Sequence, residues 1–216
     1  KPKINFKKTK NYKYTVKDIN PVSSRSTARN NGLISINNET NSFVIFIDAG
    51  DSLLEDAIKK ISKLQIGVDA SHYMIVAQTF INFSNKLKLI RVPLFPLRMK
   101  NIVNPFMLGS IILPTNLAKK VKFYEGKKED WVYWKEILDL KPQIIFTNEP
   151  NYIYNVSDIP EHYKKKISSI IQLRKILIKK FKWGRTISYV ISIVHFFLIS
   201  CRWFLLRSKH YAGGNE

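Results

Sequence analysis

The sequence predicts an α/β domain followed by a basic helical tail, and three observations carry that prediction. Short apolar runs rich in β-branched and aromatic residues, such as "FVIFI" (43–47) and "IILP" (111–114), alternate with segments whose apolar residues recur at helical spacing. Strands and helices interleaved in this way share one core. The composition, 45% hydrophobic and 12% aromatic over 216 residues, can bury such a core and excludes a disordered chain. Beyond Pro160 the character changes to Lys-rich helix and then to a long apolar run, so the division falls between residues 1–157 and a tail of 158–216.

The elements follow in order. "KPKINFKKTKNYKYTVKD" is basic and turn-poor and reads as an extended edge segment. "SSRSTARNNGLISI" sets Ser and Thr caps before a short helix. "FVIFI" is expected as a central strand with Asp48 and Asp51 at its C-terminal end. "DSLLEDAIKKISKL" carries apolar residues at Leu53, Leu54, Ala57, Ile58, Ile61 and Leu64, which is helical spacing. From Tyr73 to Val92 apolar alternation broken at "FSNKLK" predicts a hairpin. "FMLGSIILPTN" reads as a buried strand ending at Pro114, with Thr115 or Asn116 capping "LAKKVKFY". A helix, "EDWVYWKEILDL", and a strand, "QIIFT", complete the domain.

A formal charge of +20 is the outlier of the composition, and so basic a surface is matched to anionic partners: nucleic acid, phosphates or acidic lipid. The lone Cys201 rules out an internal disulfide and fits a reducing compartment. No secretory signal is visible, and since the first residue is Lys1 rather than Met the natural start is expected upstream.

The motif "DAGD" (48–51) admits two readings, because Asp and Gly form ordinary turns and because carboxylates at a strand end can hold a metal or face a phosphate. "KKEDW" likewise reads as a capped helix start with acids suited to the macrodipole, or as a place to hold an ionised base. Trp131 and Trp134 are core residues or a stacking surface, and Arg29 and Asn30 a polar helix face or ligand contacts.

Taken in order, "SRSTARNNGL", "FVIFIDAGD", "NPFMLGSIILPTN", "KKEDWVYWKEIL" and "NEPNYIY" resemble the inverting family 2 glycosyltransferases with the GT-A fold, over residues 23–157. The resemblance implies a partial GT-A-like mixed sheet flanked by helices. It implies metal-dependent transfer of a sugar from a nucleotide-sugar donor to a saccharide or lipid-linked acceptor, as in surface polysaccharide biosynthesis. Under it Asp130 is the catalytic base with Glu129 beside it, and Asp48 and Asp51 hold Mn or Mg. Arg29, Asn30 and Asp48 contact the donor, and Trp131 and Trp134 the acceptor. Gly50 stands where the family has a third acid. The family's nucleoside-binding first strands have no counterpart, so the chain corresponds to the C-terminal two-thirds of such an enzyme. Its Gln-x-x-Arg-Trp motif is absent too, for "IQLRKI" does not fit it, which favours addition of one sugar over polymerisation.

The tail mixes Lys and Arg with Ile and Leu in "KKKISSIIQLRKILIKKFKWGR" and continues into "TISYVISIVHFFLISCRWFLL", about 20 residues that could span a bilayer by length. His195, Arg202 and several serines interrupt it, and basic residues flank both ends, which favours a helix pair lying on an anionic membrane at its cytoplasmic face. His195 reads as a packed or polar-face residue. The competing functions are an inactive truncated relative serving as a membrane or partner-binding module, and a basic nucleic-acid binder. The latter accounts only for the charge, and the basic clusters alternate with apolar runs rather than forming an aromatic-studded groove, so no nucleic acid is expected.

Overall fold

The structure is a computed structural model that describes residues 24–36, 42–57, 59, 72–83, 86–156 and 164–211. The expected N-terminal edge segment and most of the helix expected after Leu53 lie outside the described residues.

Helix α1 (Arg25–Ser35) begins where the caps predict: Ser24 keeps extended backbone and its Oγ accepts from the Thr27 amide at 3.0 Å. Strand β1 (Phe43–Ile45) is shorter than "FVIFI", because the chain leaves the sheet at Phe46 to enter the turn that Gly50 closes with φ 97°. Ser52–Leu53 forms β2 rather than the start of a helix, pairing with the far end of the sheet. The hairpin appears as β3 (Tyr73–Phe83) and β4 (Lys86–Ile90), followed by the buried β5 (Ile111–Pro114). Thr115–Ala118 makes one turn, α2, shorter than "LAKKVKFY". Helix α3 (Glu129–Asp139) and strand β6 (Gln143–Val156) follow, β6 running well past "QIIFT".

The sheet is mixed, in the order β1-β5-β3-β6-β2, with β4 pairing the second half of β3 along the edge whose first half β5 occupies. Only β3 and β6 pair in parallel. "FVIFI" is therefore not central, since β1 is the terminal strand among those described. The β3–β6 register slips around Gln78, and this buried amide repairs the gap. Its oxygen accepts from the Val92 amide at 3.1 Å and its nitrogen donates to the Thr147 carbonyl at 3.2 Å.

Helix α3 is buried on two sides, which places it as a wedge. Tyr133 and Trp134 join Phe46 and Phe123 in the main core, where Phe123 stacks on Tyr133 at 4.0 Å between ring centroids. Trp131, on the other side, packs on Leu173 and Leu177 of α4 (Lys164–Lys179) and on Ile191 of α5 (Arg185–Tyr211). Trp131 thus anchors the docking of the tail on the α/β core, which an ion pair between Lys180 and Glu136 at 2.9 Å reinforces. Among the described residues no helix is long and apolar enough to cross a membrane.

Candidate functional site

The site lies where α1, the turn after β1, the start of α3 and the end of β6 meet. Lys128 takes a left-handed backbone (φ 65°) at the N-cap of α3, and Glu129 and Asp130 occupy its first turn, where the helix dipole favours acids. Glu129 is buried and accepts from Arg29 Nη1 at 3.0 Å and from Arg25 Nε at 3.2 Å. Arg29 gives its other terminal nitrogen to Asp48 Oδ1 and lies over the Phe123 ring at 5.2 Å. One rigid guanidinium fork therefore joins the turn after β1 to the start of α3.

Helix α1 can present Arg29 because its neighbours fasten it. Asn30 Nδ2 donates to the Phe123 carbonyl at 3.0 Å, and Asn30 Oδ1 accepts the Phe123 amide at 2.8 Å. Ser26 Oγ donates to the Tyr124 carbonyl at 2.7 Å. Asn30 is thus a strut between α1 and the segment before α3, its amide used on both sides.

Asp51 sits on the same turn as Asp48, its amide donating to the Asp48 carbonyl at 3.1 Å. Its carboxylate accepts from the Tyr152 hydroxyl and, at 2.9 Å, from the Asn155 amide. Burial raises its pKa above the ordinary carboxylate range against those two hydrogen bonds, and the Asp48 charge adds to the rise. Tyr152 reaches it by crossing Gly109 so closely that a Cβ there would lie 2.2 Å from the ring.

Asp130 accepts from Asn104 Nδ2 at 2.8 Å, and burial, then the charge of Glu129, pushes its pKa up. Tyr154 completes the site. Being two residues from Tyr152, it projects from the same face of β6, and the charges of Asp51, Asp48 and Asp130 all raise its phenol after burial does. The three aspartates therefore all act electrostatically on one phenol.

The structure brings Arg29, Asp48, Asp51, Glu129 and Asp130 together and excludes the two tryptophans. Trp131 and Trp134 are both 0% exposed, so neither has a free face for an acceptor sugar. Trp131 Nε1 donates to the Lys100 carbonyl at 2.8 Å and its ring supports the tail. Sequence reasoning missed Arg25, Asn104 and Tyr154. The period-two spacing in "YIY" carried a signal for Tyr154, whereas Asn104 lies in a segment, 91–106, with no readable pattern.

Asp48 and Asp51 on one turn are the carboxylates that could hold a hard divalent cation, with further oxygens needed to complete its shell; the charge of Asp48 raises the cost of ionising Asp51. Among the described residues no group of three or more ligating side chains is assembled. Searches for relatives add nothing to this geometry: no protein-family model matches the chain, and no curated protein matches it.

Proposed function

We propose that the chain belongs to the sugar-transfer machinery of an inverting, metal-dependent glycosyltransferase with a GT-A-like sheet, acting on a nucleotide-sugar donor and adding a single sugar. The observation that supports this best is the Arg29 fork, which holds Asp48 and Glu129 on one guanidinium and so sets the acidic turn beside the acidic helix start.

In this reading Asp130 accepts the proton of the acceptor hydroxyl as that oxygen attacks the anomeric carbon from the face opposite the diphosphate. The new C–O bond forms as the bond from the anomeric carbon to the phosphate oxygen breaks. A carboxylate raised by burial is a stronger base than an exposed one, and Asn104 fixes its orientation. Mn or Mg held by Asp48 and Asp51 would offset the charge on the leaving diphosphate. In this reading Tyr154, whose phenol the acids act on, would donate to a donor or acceptor oxygen, and the exposed Arg25 would meet phosphate.

Occupation of Asp48 by Arg29, and of Asp51 by Tyr152 and Asn155, favours a second reading in which the acids serve only the fold and the chain is an inactive module. Incubating the chain with labelled nucleotide sugars, Mn or Mg and an extract of membrane saccharide-lipids separates the two. Transfer with inverted anomeric configuration, lost on chelation, supports the enzyme. Absence of any donor binding by calorimetry supports the module.

A further inference from the structure

Helix α5 is built inside out. In a helix of a water-soluble domain the apolar stripe faces the core and the polar residues face solvent. In α5 the inward face carries Ser188 and Ser192, each 0% exposed, and His195, also buried, with the partly buried Ile191 packed on Trp131 between them. Each inward polar group is satisfied locally. Ser188 Oγ donates to the Gly184 carbonyl at 2.9 Å, Ser192 Oγ to the Ser188 carbonyl at 2.7 Å, and His195 Nδ1 to the Ile102 carbonyl at 2.8 Å. The outward stripe is Ile187 (60% exposed), Val190 (52%), Val194 (38%) and Phe197 (61%), with Cys201 exposed one turn further on. At 1.5 Å per residue it runs for roughly 21 Å.

An exposed apolar stripe of that length needs a cover, and charge selects it. Arg174, Lys175, Lys179, Lys182 and Arg185 are exposed on α4 and the link to α5, and the Arg174 guanidinium lies 5.6 Å from the ring of Tyr189 on the exposed side of α5. With a net charge of +20 the chain repels a second copy of itself and attracts an anionic layer. We propose that the outward stripe of α5 lies in the interface of an anionic lipid bilayer, with the basic residues of α4 and the α4–α5 link at the headgroups. The helix lies in the plane rather than across it, since the described part of it is not apolar enough to span.

The consequence for substrate class rests on the transferase reading. On the inward side, His195 Nε2 meets Lys128 Nζ at 3.5 Å, and Lys128 immediately precedes Glu129 and Asp130. The reaction centre then stands about one helix diameter, roughly 10 Å, from the lipid, and its acceptor is a saccharide carried by a membrane-anchored amphiphile.

Flotation with vesicles reads the membrane step without requiring activity. The whole chain should bind phosphatidylcholine vesicles containing phosphatidylglycerol far better than phosphatidylcholine alone, and high salt should release it only in part. The triple variant Val190→Ser/Val194→Ser/Phe197→Ser should lose about tenfold or more of that affinity in both salts while keeping native circular dichroism. Lys175→Ser/Lys179→Ser/Lys182→Ser should lose mainly the low-salt part. Unchanged vesicle binding by the apolar triple variant overturns the proposal. So does a chain that stays off vesicles and sediments as a dimer which the same triple variant converts to monomer, since the stripe is then covered by a second copy. If vesicles bind but no sugar is transferred, the bilayer proposal stands and the transferase reading fails.

Discussion

Arg29 and Glu129, a hundred residues apart in sequence, form a buried ion pair at 3.0 Å that fixes the geometry of the whole acidic centre. The Glu129 side chain is 4% exposed, and apart from Arg29 its charge is met by Arg25, which is mostly in solvent.

Removing one member of a buried pair leaves the other desolvated and uncompensated. Arg29→Met is expected to lower stability by about 3 kcal/mol in denaturant unfolding. Arg29→Lys should restore less than half of this, since one ammonium cannot hold Asp48 and Glu129 from two directions. A loss below about 1 kcal/mol for Arg29→Met would show that Arg25 and solvent carry Glu129 unaided.

Gly109 and Asp51 are linked through Tyr152. A methyl at position 109 must push the Tyr152 ring away, so Gly109→Ala should cost about 1–3 kcal/mol and break the hydroxyl bond to Asp51. Tyr152→Phe removes that bond with less steric change, at about 1 kcal/mol. Because the bond holds the Asp51 pKa down, both variants should raise it further, as read from the carboxyl carbon shift on titration. A lower Asp51 pKa in Tyr152→Phe contradicts this picture.

Acid should loosen the docking of α5. Burial, and then the charge of Lys128, lower the His195 pKa to about 4, against the bond to Ile102. The depressed folded value means that the unfolded state takes up the proton first as pH falls. The stability present above about 6.5 is therefore lost progressively between about 6.5 and about 4, amounting to about 3 kcal/mol. His195→Gln, which can still donate to the Ile102 carbonyl, should flatten the stability profile across that window. An unchanged profile would assign the acid response to other groups.

How much of this was legible depends on the range of the interaction. Local signals were readable: the Ser24 cap, the hairpin from Tyr73, the strand ending at Pro114 and the helix from Glu129 all follow from spacing and caps. The length of β6 was not, because its second half is held by β2 and by the register slip at Gln78, both set by distant pairing. In the site, the acids were readable as acids. What they bond to was not, since Arg29 reaches Glu129 and Tyr152 reaches Asp51 across about a hundred positions. Trp131 and Trp134 misled because aromatics beside an acidic motif look alike whether they face a ligand or, as here, two different cores.

The central claim is that Asp130 is the base and Asp51 belongs to the donor side, and the most direct measurement is donor binding set beside sugar transfer in Asp130→Asn and Asp51→Ala. Burial raises the Asp130 pKa, so the folded state resists its ionisation and stability falls as pH rises from the unfolded value toward the folded one. Asp130→Asn removes that cost and should melt no lower than the native chain at neutral pH, which keeps the kinetic comparison free of unfolding. The account predicts that Asp130→Asn retains metal-dependent nucleotide-sugar binding within about twofold while transfer drops by about 10²–10⁴, whereas Asp51→Ala loses the metal-dependent binding itself. Transfer by Asp130→Asn at the native rate, with its fold intact, would contradict it.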